Sequence, residues 1–160
     1  MLVEGITDRI ALEAAARLLG RDLAAEGVDV VPIGGAHAVA RVAAEYRDET
    51  IVGLCDAGEE GLFRAVIGGA VYVCNVNLED ELIRALGVER VEEVVSAQGE
   101  LETFRNFQNQ PAWRGRTTES QLVRWMHNGD RHHRYPPLLL AALDPRDIPP
   151  PLVGLLAAVF

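Results

Sequence analysis

Lysine is absent from all 160 residues, so every one of the 15 basic side chains is an arginine. That rules out a Walker A phosphate loop, a Schiff-base amine and a lysyl nucleophile, and an ATPase engine or ligase would have to come from another protein. Serine is almost missing too. Ser96 and Ser120 are the only two, and neither lies in the Gly-x-Ser-x-Gly turn of a serine hydrolase. The two cysteines, Cys55 and Cys74, are not spaced for zinc; each sits at the end of an apolar run and reads as a small buried side chain in a reducing compartment. No basic segment followed by an apolar one opens the chain, and "LVGLLAAVF" at 152–160 is too short to cross a bilayer. A cytoplasmic protein without membrane contact is expected.

What is present is a chain of one domain's size, 49% hydrophobic and 24% charged, with no low-complexity tract and no internal repeat. Its charge is uneven. Residues 1–98 carry 18 acids against 8 arginines, whereas 99–160 carry 6 acids against 7. Between 103 and 135 there are 6 arginines to 2 acids, with His127, His132 and His133 alongside. That stretch is the one surface suited to a polyanion.

The first half alternates strand-like and helix-like segments in the order β, α, β, α, β, β, α, the pattern of a mostly parallel sheet covered by helices. Strands are expected at 1–4, 28–35, 50–56 and 70–75. Thr7 or Asp8 can cap a helix in which Ile10, Ala14 and Leu18 recur at helical spacing, and further helices are expected at 36–46 and 78–87. The second half holds no convincing strand. It divides into helices near 89–98, 99–109, 117–127, 134–143 and 149–158, separated by "NQPAWRGR" and by proline-bearing joints. Residues 1–98 therefore read as an α/β core and 99–160 as a helical extension of the same unit, whose apolar "PLLLAAL" and "LVGLLAAVF" need a surface to bury against.

Ligands of open α/β sheets bind at the carboxyl ends of the strands, and this chain puts its acids there. Glu4 ends the first strand and Asp56 the third; Asp8 lies one turn past the first, Glu59 and Glu60 follow Asp56 in a loop, and Glu79, Asp80 and Glu81 open the helix after the fourth. Magnesium takes oxygen ligands and is typically held by one or two carboxylates together with substrate phosphates, which carboxylates from different strand ends suit. Each acid has a plainer reading as well. Asp8 and the "LEDE" acids favour the positive ends of helices, and Glu59 and Glu60 are ordinary solvated charges. Glu4 and Asp56 are harder to explain so, because an acid ending an apolar strand needs a partner, a metal or water.

"LVEGITD", "IVGLCDAGEE" and "VYVCNVNLEDELIRALG", in that order, resemble the Toprim domain of the OLD-family (overcoming lysogenization defect) nucleases. "VVSAQGELETF" (94–104) and "GRTTESQLVRWM" (115–126) extend the resemblance to bacterial standalone members and to nearly the whole chain. It implies a Toprim-like (Rossmann-like), mostly parallel four-stranded sheet flanked by helices, with an all-helical C-terminal half packed on it.

It also implies phosphodiester chemistry on nucleic acid, DNA before RNA, with Mg2+ or Mn2+ held by a glutamate and an Asp-x-Asp pair. Glu4 matches that glutamate and Asp56 the first aspartate; the second position is Gly58, for which Glu60 is the substitute on hand. Asp8, Glu79 and Glu81 complete the expected metal-site residues. Family members place a lysine near the scissile phosphate, and "DRHHRYPPLL" puts His132 there with Arg131 and Arg134 beside it, so that the resemblance implies Arg131, His132 or Arg134 as the group stabilising developing charge. The alternative is a degenerate Toprim module that no longer cuts and binds nucleic acid or a separately encoded ATPase. Because strand one begins only about three residues before Glu4, either the core is compact or sequence precedes Met1.

Overall fold

The computed structural model describes residues 1–159. Four short parallel strands, β1 (Leu2–Val3), β2 (Val31–Pro32), β3 (Gly53–Asp56) and β4 (Val71–Cys74), form one sheet in the order β2-β1-β3-β4. Parallel neighbours cannot be joined by a tight turn; each pair requires a crossover. Helix α1 (Ile6–Leu18) connects β1 to β2, and a 3-10 turn at Ala36–Ala38 leads into α2 (Val39–Glu45), which returns the chain to β3.

The connection from β3 to β4, expected as a loop, holds a 3-10 turn at Ala57–Glu59 and helix α3 (Glu60–Val66). Parallel pairing of Gly53–Asp56 with Val71–Cys74 demands it. The signal was weak because the helix is two turns long and carries one fully buried anchor, Phe63.

Side chains alternate across the pleat. Val3, Val52, Leu54 and Cys74 face one buried cluster; Leu2, Cys55 and Val71 face another, shared with α2 and α3. The first cluster is the larger. It contains Ala11, Leu12, Ala15 and Ala16 of α1, so the buried stripe of that helix lies beside the expected Ile10, Ala14 and Leu18, which are half-buried.

The remaining helices are α4 (Leu78–Leu86), α5 (Val88–Ala97), α6 (Leu101–Gln108), α7 (Thr118–Met126), α8 (Arg131–Ala142) and α9 (Pro150–Ala157). Trp125, Tyr135, Leu139, Leu152 and Leu155 from the last three join Val3 and Leu54 in the first cluster. The apolar C-terminal segment is thereby buried through Leu152, Leu155 and Leu156, whereas Val153 and Ala157 are exposed, and Phe160 lies outside the described residues. Phe104, Trp125 and Tyr135 form an edge-to-face aromatic chain with centroids 5.3 and 5.4 Å apart.

Helix α8 starts at Arg131 rather than 134, which places Pro136 and Pro137 inside it. Close contacts fix three glycines: a Cβ on Gly154 would come within 2.3 Å of the Tyr72 ring, one on Gly69 within 2.3 Å of the Ile51 carbonyl oxygen, and one on Gly53 within 2.6 Å of Ile67. No helix of the described residues is long and apolar enough to cross a membrane.

Candidate metal centre at the carboxyl edge of the sheet

β1 ends at Val3, so Glu4 leaves the sheet beside the exit of its neighbour β3. Its Oε1 accepts a hydrogen bond from the backbone N–H of Asp56 at 2.8 Å, which joins the two strand ends. Gly34 and Gly35, following β2, donate their N–H groups to the Glu4 carbonyl. Gly35 has φ of 107°, a conformation glycine adopts without strain. Three of the four strand exits therefore converge on one residue.

Asp8 is the third residue of α1, and its Oδ2 accepts from the Gly5 N–H at 2.8 Å. It caps the helix and faces the same edge. Burial pushes its carboxyl up to about 6, with the Gly5 hydrogen bond opposing and Glu4 and Glu79 adding to the rise.

Asp56 is pushed further, to about 7, first by burial and then by Glu4, Asp8 and Glu79, with His127 opposing. Glu4 is raised as well, mainly by burial and in part by Glu59, against the Asp56 hydrogen bond. Glu79, in the first turn of α4, is 6% exposed and pairs through Oε2 with Nε2 of His127 at 3.3 Å. The imidazole is held above its ordinary value by that carboxylate.

Glu4, Asp8, Asp56 and Glu79 thus share one electrostatic neighbourhood, in which every added negative charge raises the cost of the others. Two residues expected with them stand apart. Glu60 pairs with Arg64 at 2.6 Å on the solvent side of α3. Glu81 spends Oε1 on the Asn75 N–H at 2.7 Å and on Arg84 at 2.9 Å, anchoring the exit of β4.

The basic segment is also deployed differently from expectation. Arg131 and Arg134 both turn to Glu100, at 3.0 and 2.8 Å, where the Tyr135 hydroxyl donates at 2.6 Å. Arg131 lies over the Trp125 ring as well, 4.2 Å from its centroid. Nδ1 of His132 meets the Gly129 carbonyl at 2.6 Å, and the neighbour His133 is the one that reaches back to α1, through Thr7 Oγ1 at 2.9 Å.

Glu100 carried no signal that sequence alone could use, and His127 and His133 stood out only as members of a basic stretch. Glu100 lies 31 and 34 residues from its two arginines. Only packing of α4 against α7 brings His127 to Glu79, and only packing of α1 against α8 brings His133 to Thr7.

Burial raises both thiols, Cys55 to about 12 and Cys74 further, so neither is a nucleophile. Among the described residues no group of three or more His, Cys, Asp or Glu is preassembled in metal-ligand geometry. The donor chemistry nevertheless fits a hard divalent cation. Magnesium commonly takes one or two carboxylates and fills its shell with water and phosphate oxygens, and Asp56 with Asp8 or Glu4 supplies such a pair in a cluster short of positive charge. The edge is an open rim; a cleft of about 530 Å³ lined by Arg17, Arg21, Asp29 and Tyr46 lies by the segment entering β2, away from the acids.

A parallel four-stranded sheet with acids gathered at its carboxyl edge and helices on both faces defines a Toprim-like α/β domain. Residues 1–52 match the family model of the overcoming lysogenization defect protein-like TOPRIM domain, and the chain resembles the Toprim domain of the OLD family. Its fold is that of the C-terminal region of the OLD protein of Xanthomonas campestris pv. campestris, with a TM-score of 0.69 at 20% identity over 99% of this chain and 92% of that one. The C-terminal region of the Burkholderia pseudomallei OLD protein gives 0.66 at 15% identity, over 99% and 96%. No curated protein matches the chain.

Proposed function

We propose that this chain hydrolyses phosphodiester bonds in nucleic acid, DNA before RNA, with Mg2+ or Mn2+ held at Asp56 and assisted by Asp8 and Glu4. The observation that carries the reading is the gathering of Asp56, Asp8 and Glu4 at the edge where the fold places its ligands, their carboxyls raised first by burial and then by neighbouring acids. A cation bound there polarises the phosphodiester and lowers the pKa of a coordinated water.

The protein's own part follows from its geometry. Asp56 ends β3 and Asp8 lies in the first turn of α1, so the two acids reach the edge from different elements. Glu4, held by the Asp56 N–H through one oxygen, keeps the other free. Its raised affinity for a proton suits it to deprotonate the attacking water. Arg131 and Arg134, committed to Glu100, are left out of the chemistry.

Gly58 and the lack of a preassembled three-donor group favour a second reading, a module that binds nucleic acid or a separately encoded ATPase without cutting. Nicking of supercoiled plasmid with Mn2+ or Mg2+, run beside Glu4→Ala and Asp56→Ala proteins, decides between them. Nicking by the unaltered protein that both variants lose supports hydrolysis. No nicking by any of the three supports the non-cutting module.

A further inference from the structure

Of the six arginines between 103 and 135, five are engaged by the protein itself. Arg105 is held by Glu92 at 2.6 Å, and Arg131 and Arg134 by Glu100. Arg114 donates to the Asn109 carbonyl, and Arg116 donates to the Ala112 carbonyl while covering the Trp113 ring. Arg124 is the exception: among the described residues it has no ion pair and no hydrogen-bond acceptor for its side chain, and it is exposed in the last turn of α7.

Its position gives that free charge meaning. Residues three apart on a helix are neighbours on its surface. Arg124 and His127, the residue ending α7, therefore form one exposed strip, and their charges oppose each other. His127 in turn touches Glu79 at 3.3 Å, and its charge acts on Asp56. The buried residues of the same helix, Leu122, Trp125 and Met126, fix the opposite face in the core. The strip cannot rotate away from the acids.

We propose that Arg124, with His127 beside it, is the phosphate-guiding rim of the carboxylate site, so that a nucleic-acid backbone enters across the C-terminal end of α7. This rests on the phosphodiesterase reading and deepens it by naming the substrate-positioning residue. An unpaired guanidinium has its donor fork available for phosphate oxygens, which arginines already satisfied by carboxylates lack. Placed beside a cluster of acids, it offsets the repulsion that cluster exerts on an incoming polyanion.

A cation in the last turn of a helix also stabilises the helix dipole, and that role predicts a different result. The test is fluorescence anisotropy of a short labelled DNA duplex without divalent metal, for the unaltered protein and for Arg124→Gln, Arg124→Lys and Arg114→Gln, at KCl from about 50 to 200 mM. Thermal unfolding of each protein is measured in parallel. Arg124→Gln is expected to weaken binding and to flatten the slope of log affinity against log salt by about 1, while Arg124→Lys and Arg114→Gln retain the slope.

An Arg124→Gln protein with the unaltered slope, whether or not its melting temperature falls, overturns the proposal while leaving the phosphodiesterase reading to the plasmid assay. An unaltered protein that neither binds the duplex nor nicks plasmid overturns both.

Discussion

The backbone N–H of Asp56 donates to Oε1 of Glu4 at 2.8 Å, so the last residue of β3 is held by the acid that ends β1. Both strands are short, and this bond extends their pairing beyond the two backbone-paired positions. Glu4→Gln keeps an oxygen acceptor and removes the charge; Glu4→Ala removes both. Thermal unfolding is expected to show Glu4→Ala destabilised by about 1–2 kcal/mol, with Glu4→Gln close to the parent. Plasmid nicking is expected to be lost in both.

Asp8 and Asp56 are held at about 6 and about 7, above the ordinary aspartate value of 3.8 that applies when the chain unfolds. Between pH 4 and 7 the folded protein therefore binds more protons than the unfolded one, and stability falls as pH rises through that window. Without divalent metal, melting temperatures are expected to decline from pH 5 to pH 8, a trend that Asp56→Asn weakens. Millimolar Mg2+ or Mn2+ is expected to restore the loss at pH 8 in the parent and not in the variant. A flat profile with no metal-dependent shift would count against the carboxylate cluster.

Glu100 behaves in the opposite sense. Burial works against its ionisation, but hydrogen bonds from Tyr135, Arg134 and Arg131 outweigh it and hold the carboxyl below its ordinary value. The stabilisation it contributes is present above the unfolded pKa near 4.5 and disappears as pH falls through the lower folded value. Glu100→Ala leaves three donors without their shared acceptor and is expected to cost about 2–3 kcal/mol at neutral pH in a denaturation curve. Phosphate contact through Arg131 or Arg134 would instead show as altered DNA binding by a still stable protein.

Gly154 lets α9 lie against the Tyr72 ring of β4, where a Cβ would approach to 2.3 Å. Gly154→Ala is expected to destabilise by about 1–3 kcal/mol, because the ring must shift within a packed layer. A second substitution, Tyr72→Leu, is expected to recover part of the loss in the double variant. Full additivity of the two changes would mean that the contact is not shared.

Joining α7, α8 and α9 to the sheet in one buried cluster predicts how the chain is cut. Trypsin is expected to cleave first after Arg114 or Arg116, both exposed between α6 and α7, with the two pieces staying associated under native conditions. Release of a stable fragment of residues 1–98, detected by mass spectrometry after gel filtration, would show the helical part to be dispensable.

Much of this architecture is legible along the chain because its signals are local. The parallel α/β order, the C-terminal helices and the glycine closing α4 follow from periodicity and punctuation, and Glu4 and Asp56 stand out as acids ending apolar strands. Helix α3 was missed because two turns with one large buried anchor carry little periodicity, and its existence is dictated by the parallel pairing of β3 with β4. The start of α8 was missed because prolines at 136 and 137 suggest a helix beginning just before them, whereas the chain places them inside.

The residues thus determined which side chains stand at each strand end, since the identity of an acid and its place in a local element are properties of the chain itself. Which acids repel one another, and which cations answer them, was decided by tertiary structure alone. Glu60 and Arg131 have the right charge in the right region, but nearer partners claim them; His127 and Glu79 lie 48 positions apart and meet because α7 packs on α4. Coulomb energy depends on separation in space, and only the packed fold sets that separation.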